Sequence, residues 1–168
     1  PIFFVSTLDN LKAFQNHASL PHIYTQPFID LFTTYGGGGS TLALLIVVFA
    51  ICKSKRLLEL GKLAILPGIF GINEHVIFGL PVVLNPVIVI PFILCPVINT
   101  LISGIVMNLG WVAWTIGDQL PWTTPPIISG WLATGSWTGS ALQIVEIILN
   151  ILIYYPFVKM LDKQYLKE

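Results

Sequence analysis

Residues Gly68–Pro86 read GIFGINEHVIFGLPVVLNP, an apolar segment that surrounds a single carboxylate, Glu74, and is interrupted repeatedly by glycine and proline. Between residues 63 and 158 the chain has no lysine or arginine, and Glu74 is one of only three acidic residues there, with Asp118 and Glu146. A charged side chain at the centre of a bilayer costs roughly 2.5–3.5 kcal/mol on insertion scales. We therefore predict that Glu74 is a functional residue.

The composition is that of an integral membrane protein. Hydrophobic residues make up 55% of the 168 residues and charged residues 10%, whereas soluble domains carry roughly 25% charged residues. Eight basic and eight acidic residues leave no basic excess, so a nucleic-acid partner is not expected. Cys52 and Cys95 lie in apolar runs, where we expect small buried side chains and neither a disulfide nor a metal site. No cofactor-binding pattern is recognised.

The first third of the chain is irregular. It opens PIFFVSTLDNLKAF, without the charged start and cleavage site of a signal peptide, and we interpret it as a fragment that lacks an N-terminal part. The pattern of apolar and polar residues in 1–34 predicts the end of a helix, a re-entrant or interfacial segment and a short helix. Residues 35–41 read YGGGGST, in which Ser40 or Thr41 can cap the next helix. The glycines either allow close packing of helices or contact a ligand.

Two basic clusters, at residues 53–62 and 159–167, are both predicted to face the cytoplasm. Because both lie on the same side, the chain between them crosses the membrane an even number of times. Asn85–Asn108 and Trp137–Val158 are long enough to span a bilayer. Proline, glycine and polar residues interrupt the remaining apolar pieces, 63–84 and 111–134, which we interpret as two re-entrant hairpins lining one pocket. The predicted fold is an all-α integral membrane protein with transmembrane helices and two re-entrant hairpins.

Three side chains suit a carbohydrate site at the hairpin turns. Asn73 and Glu74 offer an amide and a carboxylate to a sugar hydroxyl, and Trp122, within LPWTTPPIIS, offers an aromatic face to a pyranose ring. For Trp122 the alternative is a belt of interfacial tryptophans at the membrane surface. The pattern alone leaves both interpretations open.

The last predicted span carries a polar face. Gln143, Glu146 and Asn150 share one side of the helix, where we expect hydrogen bonding inside the bundle, with substrate contact as the alternative. Gly135 and Gly139 form a GxxxG pattern that favours close helix packing. Asp118 lies near a predicted membrane surface and is interpreted as a solvated loop residue.

The sequence resembles the membrane-embedded IIC component of the lactose/cellobiose/chitobiose group of bacterial sugar phosphotransferase permeases. Four segments in order carry the resemblance: YGGGGSTLALL, LPGIFGINEHVIFGLPVVLNPVIVIPFIL, PWTTPPIISGWLATG and ILIYYPFVKMLDK. It covers most of residues 1–168 and corresponds to the C-terminal part of that component. It implies a bundle of transmembrane helices with two re-entrant hairpins, a homodimer when full length, and a multi-pass location in the bacterial cell membrane.

The resemblance also assigns roles to residues. Glu74 matches the glutamate that holds a sugar hydroxyl near the point of phosphorylation, Asn73 is its hydrogen-bonding neighbour, and Trp122 matches an aromatic residue of the sugar pocket. The usual pattern FNINEP is altered here, because Gly71 replaces the first Asn and His75 replaces the Pro. His75 either adds a titratable donor beside Glu74 or loosens the turn. The histidine that family members pair with the glutamate lies upstream of this sequence.

The implied function is uptake of a β-linked disaccharide such as cellobiose, lactose or chitobiose. A phosphorylated cytoplasmic IIB protein donates the phosphoryl group, so this chain positions the acceptor and carries no covalent intermediate. Two alternatives remain: an ion-coupled secondary transporter with Glu74 or Glu146 as proton carrier, and an intramembrane enzyme. The second lacks support, since neither serine nor cysteine accompanies His75 and Glu74.

Overall fold

The computed structural model describes residues 2–167, apart from the side chain of Val83. In that part of the chain the regular structure is helical throughout, without strands, which confirms the predicted all-α class. The helices are α1 (Ile2–Gln15), α2 (Gln26–Phe32), α3 (Thr41–Ile51), α4 (Lys55–Ile69), α5 (Glu74–Gly79), α6 (Pro86–Asn108), α7 (Ile128–Thr134) and α8 (Trp137–Tyr165), with 3-10 turns at Gly38–Ser40 and Val82–Leu84.

Helices α6 and α8 are the two helices within residues 2–167 that are long and apolar enough to cross a membrane. The Asn85 side chain accepts a hydrogen bond from Val87 N (3.0 Å) and starts α6, and the Ser136 hydroxyl accepts one from Thr138 N (3.3 Å) and starts α8. Both predicted spans are confirmed as helices. Helix α8 continues seven residues beyond the predicted end at Val158, to Tyr165.

Helices α6 and α8 pack antiparallel along a regular series of contacts. Ser103 Oγ donates to Glu146 Oε1 (2.7 Å). One turn later on α6 and one turn earlier on α8, Met107 and Leu142 belong to one hydrophobic cluster. In the other direction, Cys95 and Tyr154 share a second cluster with α3 and α4. From one pair to the next, the residue number rises by four or eight on α6 and falls by the same amount on α8, as expected for antiparallel helices. The polar face of α8 is therefore turned towards α6.

The two glycines of the GxxxG pattern have different roles. A methyl group on Gly139 would collide with the backbone of Gly130, so α7 and α8 approach each other closely there, as the pattern predicts. Gly135 lies before α8 begins, and a Cβ atom there would contact nothing within 4 Å. It ends α7 in the left-handed conformation (φ +64°). The packing prediction is therefore correct for Gly139 and wrong for Gly135.

Interrupted backbone occupies both segments in which hairpins are predicted. In the first, α4 is followed by a turn at residues 70–73, the short helix α5 and a 3-10 turn. In the second, residues 111–127 form no regular helix and lead into α7. Both segments extend towards the glycine-rich loop at residues 35–41, and the three together surround the candidate site.

Candidate functional site

A cavity of about 440 Å³ lies where three irregular segments meet: the glycine-rich loop, the turn after α4 and the loop before α7. Glu74, Asn73 and Trp122, predicted from the sequence to form one site, all line it. They come from segments almost 50 residues apart in the chain. Residues of both interrupted segments therefore line one cavity, as predicted, while the re-entrant course of these segments stays a prediction.

The glycine-rich loop contacts the turn after α4 backbone to backbone. Gly37 has φ +91°, and a Cβ atom there would lie 2.6 Å from Asn73 Cγ and 2.7 Å from Gly71 O. Asn73 is 8% exposed, and its Nδ2 donates to Gly38 O at 2.7 Å. The missing side chain at Gly37 makes room for the Asn73 amide, which then holds the loop in place. The glycines thus permit close packing and also line the cavity.

Gly71 joins the turn after α4 to the loop before α7. Its φ is +83°, and a Cβ atom there would lie 3.2 Å from Trp122 O and 3.4 Å from the indole Cε3. Positive φ is tolerated best by glycine and next by asparagine. Glycine at position 71, where the resemblance implies Asn, is therefore compatible with the backbone of this turn.

Glu74 begins α5 and its side chain is exposed. Within residues 2–167 its carboxylate accepts no hydrogen bond, so both oxygens are available to a ligand in the cavity. The preceding residue, Asn73, is buried, although the two residues are adjacent in the turn. The reason is local: the turn buries Asn73 against Gly38 and leaves the next side chain pointing outwards.

His75 is exposed and does not line the cavity. It follows Glu74 directly on α5, and successive side chains of a helix point about 100° apart. The side chain of His75 is therefore directed away from the carboxylate's cavity in this structure. Its place among the substrate-binding residues remains a prediction without geometric support.

Trp122 lines the cavity although it is 60% exposed. Trp111 and Trp137, at 73% and 74% exposed, lie outside the lining. Among these tryptophans the geometry distinguishes Trp122, whose ring edge would lie 3.4 Å from a Cβ atom at Gly71. This placement favours the sugar-site interpretation over the interfacial belt.

Two lining residues, Asp30 and Tyr35, were not predicted as site residues. Asp30 lies on α2 and accepts a hydrogen bond from Gln26 Nε2 at 2.9 Å. Burial raises the pKa of Asp30 above its ordinary value of 3.8, and the Gln26 bond offsets part of the rise. The available signal was an acidic residue within the otherwise apolar segment PFIDLF.

Tyr35 begins the glycine-rich loop and is 1% exposed. Its hydroxyl donates to Glu146 Oε2, on a helix 111 residues away in sequence. Burial raises the pKa of the Tyr35 phenol well above its ordinary value. The phenol consequently keeps its proton and remains a hydrogen-bond donor.

Hydrogen bonding inside the bundle is confirmed for two of the three polar residues on the face of α8. Glu146 accepts from Tyr35 and Ser103, and Gln143 Oε1 accepts from the backbone of Ile127 (2.6 Å) and Gly130 (3.0 Å). Neither residue lines the cavity. Their contacts agree with the structural interpretation.

Asn150 does not follow that pattern. It is fully buried, and within residues 2–167 neither amide atom has a hydrogen-bond partner. Continuing the series of α6–α8 pairs described above by one turn from Ser103 and Glu146 places Asn99 opposite Asn150. Its Nδ2 is already used by Thr33 O (3.0 Å) and Ser40 Oγ (3.1 Å), and its Oδ1 has no partner in the same range. The prediction that Asn150 is hydrogen-bonded is therefore wrong.

The predicted cap of α3 also differs. Ser40 occupies the N-cap position with a left-handed backbone (φ +55°), and its hydroxyl makes no bond to the first turn of the helix. Instead it accepts hydrogen bonds from Tyr35 N (3.3 Å) and Asn99 Nδ2. Thr41 Oγ1 donates to Gly36 O at 2.6 Å. Both hydroxyls thus stabilise the glycine-rich loop and not the helix end.

Comparison with known proteins places the chain in a family. The family described as "Phosphotransferase system, EIIC" matches residues 1–96. This chain belongs to that family. The chain is 46% identical over 169 residues to the lichenan permease IIC component of Bacillus subtilis (strain 168), covering 100% of this chain and 37% of the relative.

Two further comparisons agree. A lactose-specific EIICB component of Streptococcus mutans is 44% identical over 146 residues, covering 86% of this chain and 25% of the relative. The crystal structure of the transporter ChbC, the IIC component from the N,N'-diacetylchitobiose-specific phosphotransferase system, superimposes with a TM-score of 0.96 at 43% identity, covering 99% of this chain and 39% of that one. The chain therefore spans less than two fifths of each of these proteins.

Proposed function

We propose that residues 1–168 form the C-terminal part of the IIC sugar-transport domain of a phosphotransferase system. The substrate class is a β-linked disaccharide of the cellobiose, lactose or chitobiose type, and the phosphoryl donor is a cytoplasmic IIB partner. The observation that carries the proposal is the convergence of Glu74, Asn73 and Trp122 on one cavity in a chain of the EIIC family. The printed name of the EIICB relative supports a IIB partner.

Each of the three side chains has a role that its geometry supports. Glu74 has free carboxylate oxygens and accepts a hydrogen bond from a sugar hydroxyl, so that this hydroxyl is oriented towards the donor. The carboxylate takes up the hydroxyl proton as the new P–O bond forms and the bond between phosphorus and the IIB donor residue breaks. Asn73 stabilises the turn through Gly38 and stays close to the same ligand. Trp122 presents its ring to the sugar. Holding the acceptor in one orientation is the chain's main contribution to phosphoryl transfer.

The membrane arrangement follows from the same proposal. Helices α6 and α8 cross the bilayer of the bacterial cell membrane, and the segments at 63–84 and 111–134 enter it as re-entrant hairpins. Irregular backbone is stable at that depth where it lines a water-filled cavity, which is where the glycine-rich loop and the two turns lie. The basic clusters face the cytoplasm, and the complete protein is a homodimer.

The test compares Glu74→Gln with Glu59→Gln in the complete permease, because Glu59 is an exposed acid on α4 outside the cavity. Uptake and phosphorylation of lactose, cellobiose and chitobiose are measured with the IIB partner present. Removing one charged hydrogen-bond partner, worth roughly 1.5–3 kcal/mol, should lower kcat/KM about 10- to 150-fold, with Glu59→Gln unchanged.

Two results would contradict the proposal. Equal uptake and phosphorylation by Glu74→Gln and wild type would remove Glu74 from the site. Uptake that survives loss of the phosphoryl donor but stops when the proton gradient is dissipated would instead indicate an ion-coupled transporter.

A further inference from the structure

The basic residues of this chain gather at one end of the structure. Seven of the eight lie in residues 53–62 and 159–167. Asp162 Oδ1 accepts hydrogen bonds from Lys53 N (3.0 Å) and Ser54 N (2.8 Å), and Arg56 lies 4.6 Å from the ring centroid of Tyr165. The last turns of α8 are thereby fixed against the connection between α3 and α4.

A second cavity, of about 250 Å³, lies in this contact and is lined by Lys53, Lys159 and Lys163. Within residues 2–167 no carboxylate oxygen lies within 4 Å of their ammonium groups. Asp162 also lines it, but Asp162 is 8% exposed and its Oδ1 is used by two backbone N–H groups. Three cations and one buried anion leave the cavity with a net positive charge.

The remaining lining is apolar and continues along an exposed side of α8. Tyr155 and Leu166 line the cavity and are 43% and 55% exposed. Towards the middle of α8, Leu152 (64% exposed) and Ile148 (52% exposed) continue the same face at steps of three and four residues. Lys159 Nζ lies 5.7 Å from the Tyr155 ring centroid. A basic end and an apolar strip thus follow each other on one helix face.

We propose that this basic cavity binds the phosphate of an anionic phospholipid, with the acyl chains along Ile148, Leu152 and Tyr155. The negative charge of a phosphodiester is opposite in sign to the net positive charge of the cavity, and the apolar strip matches the hydrocarbon that a free phosphate lacks. The site is separate from the sugar cavity, with which it shares no lining residue. The eleven residues of α3, roughly 16 Å of helix, lie between them.

The test uses the complete permease in nanodiscs and measures binding of a fluorescent phosphatidylglycerol, with phosphatidylcholine as the neutral comparison. One variant combines Lys53→Gln, Lys159→Gln and Lys163→Gln. The matched control combines Lys12→Gln, Lys55→Gln and Lys62→Gln, which remove equal charge at exposed positions outside the cavity. Each cavity lysine should contribute about fivefold to phosphatidylglycerol affinity, so the triple variant should lose roughly 100-fold and the control little.

A measurement on the unmodified protein accompanies the variants. Added phosphatidylglycerol should raise its melting temperature in detergent more than phosphatidylcholine does, because a ligand that binds the folded state stabilises it. Equal effects of the two lipids, or equal binding by the two triple variants, would overturn the proposal. Displacement of phosphatidylglycerol by millimolar inorganic phosphate would identify free phosphate as the occupant and overturn the lipid assignment.

Discussion

Replacing Tyr35 by phenylalanine removes one hydroxyl from the buried contact between the glycine-rich loop and α8. The Tyr35 hydroxyl donates to Glu146, and Ser103 donates to the other carboxylate oxygen at 2.7 Å. The backbone of Tyr35 continues into three glycines that line the cavity of the candidate site. The substitution therefore weakens the attachment of the loop while it leaves the ring in place.

The size of the effect follows from hydrogen bonds measured between helices in membranes. Such bonds contribute about 0.6 kcal/mol on average and at most about 1.7. For a protein of 150–250 residues, 1 kcal/mol corresponds to a shift of about 2–4 °C in melting temperature. Tyr35→Phe should therefore lower the melting temperature by about 1–7 °C.

The assay is thermal unfolding of the purified protein in detergent. Tyr155→Phe is the control, because Tyr155 is 43% exposed and its hydroxyl makes no hydrogen bond within residues 2–167. A double-mutant cycle with Ser103→Ala should be non-additive, since both hydroxyls bind one carboxylate. Equal melting temperatures for Tyr35→Phe and Tyr155→Phe, together with additive behaviour in the cycle, would refute this account of the loop.

Two further predictions concern other residues of the sugar cavity. Trp122→Ala should raise KM for the sugar about 2- to 12-fold, equivalent to the roughly 0.5–1.5 kcal/mol of an aromatic contact. Trp111→Ala is the control, because Trp111 lies outside the lining, and should leave KM unchanged. Similar KM values for the two variants would contradict the prediction. Asp30→Asn should raise the melting temperature at pH 7, because burial raises the pKa of Asp30 in the folded state and the charged form is disfavoured there. This gain in melting temperature should decline as the pH falls through the raised pKa. It should disappear below pH 3.8, where the aspartate is neutral in both the folded and the unfolded state. An equal gain at pH 7 and pH 3 would contradict the explanation.

Hydropathy and local chemistry predict the helices better than they predict the contacts between them. The two spans follow from runs of apolar residues, and their starts follow from Asn85 and Ser136, because both signals act within a few residues. The close approach at Gly139 is likewise local. The bond between Tyr35 and Glu146 depends on how α3, α6 and α8 pack, and no local pattern specifies that arrangement.

The orientation of individual side chains was the least predictable property of the site. Asn73 and Glu74 are adjacent, yet the first is buried against Gly38 and the second is exposed. His75 lies one residue further and leaves the lining altogether. The sequence shows which residue types occur together, whereas the direction of each side chain depends on the geometry of the turn that precedes α5.

The polar residues of α8 explain how a cavity built from loops keeps its shape. Gln143 binds the backbone of Ile127 and Gly130, Glu146 binds Tyr35, and Tyr154 donates its hydroxyl to Gly39 O at 2.6 Å. Each contact stabilises the glycine-rich loop or the loop before α7, while Asn73 connects the glycine-rich loop to the turn after α4. Polar groups in an apolar span are costly unless they are paired. In α8 these polar groups are paired with the segments that surround the candidate cavity. Helix α8 therefore helps to determine the geometry of a site that Gln143 and Glu146 do not line.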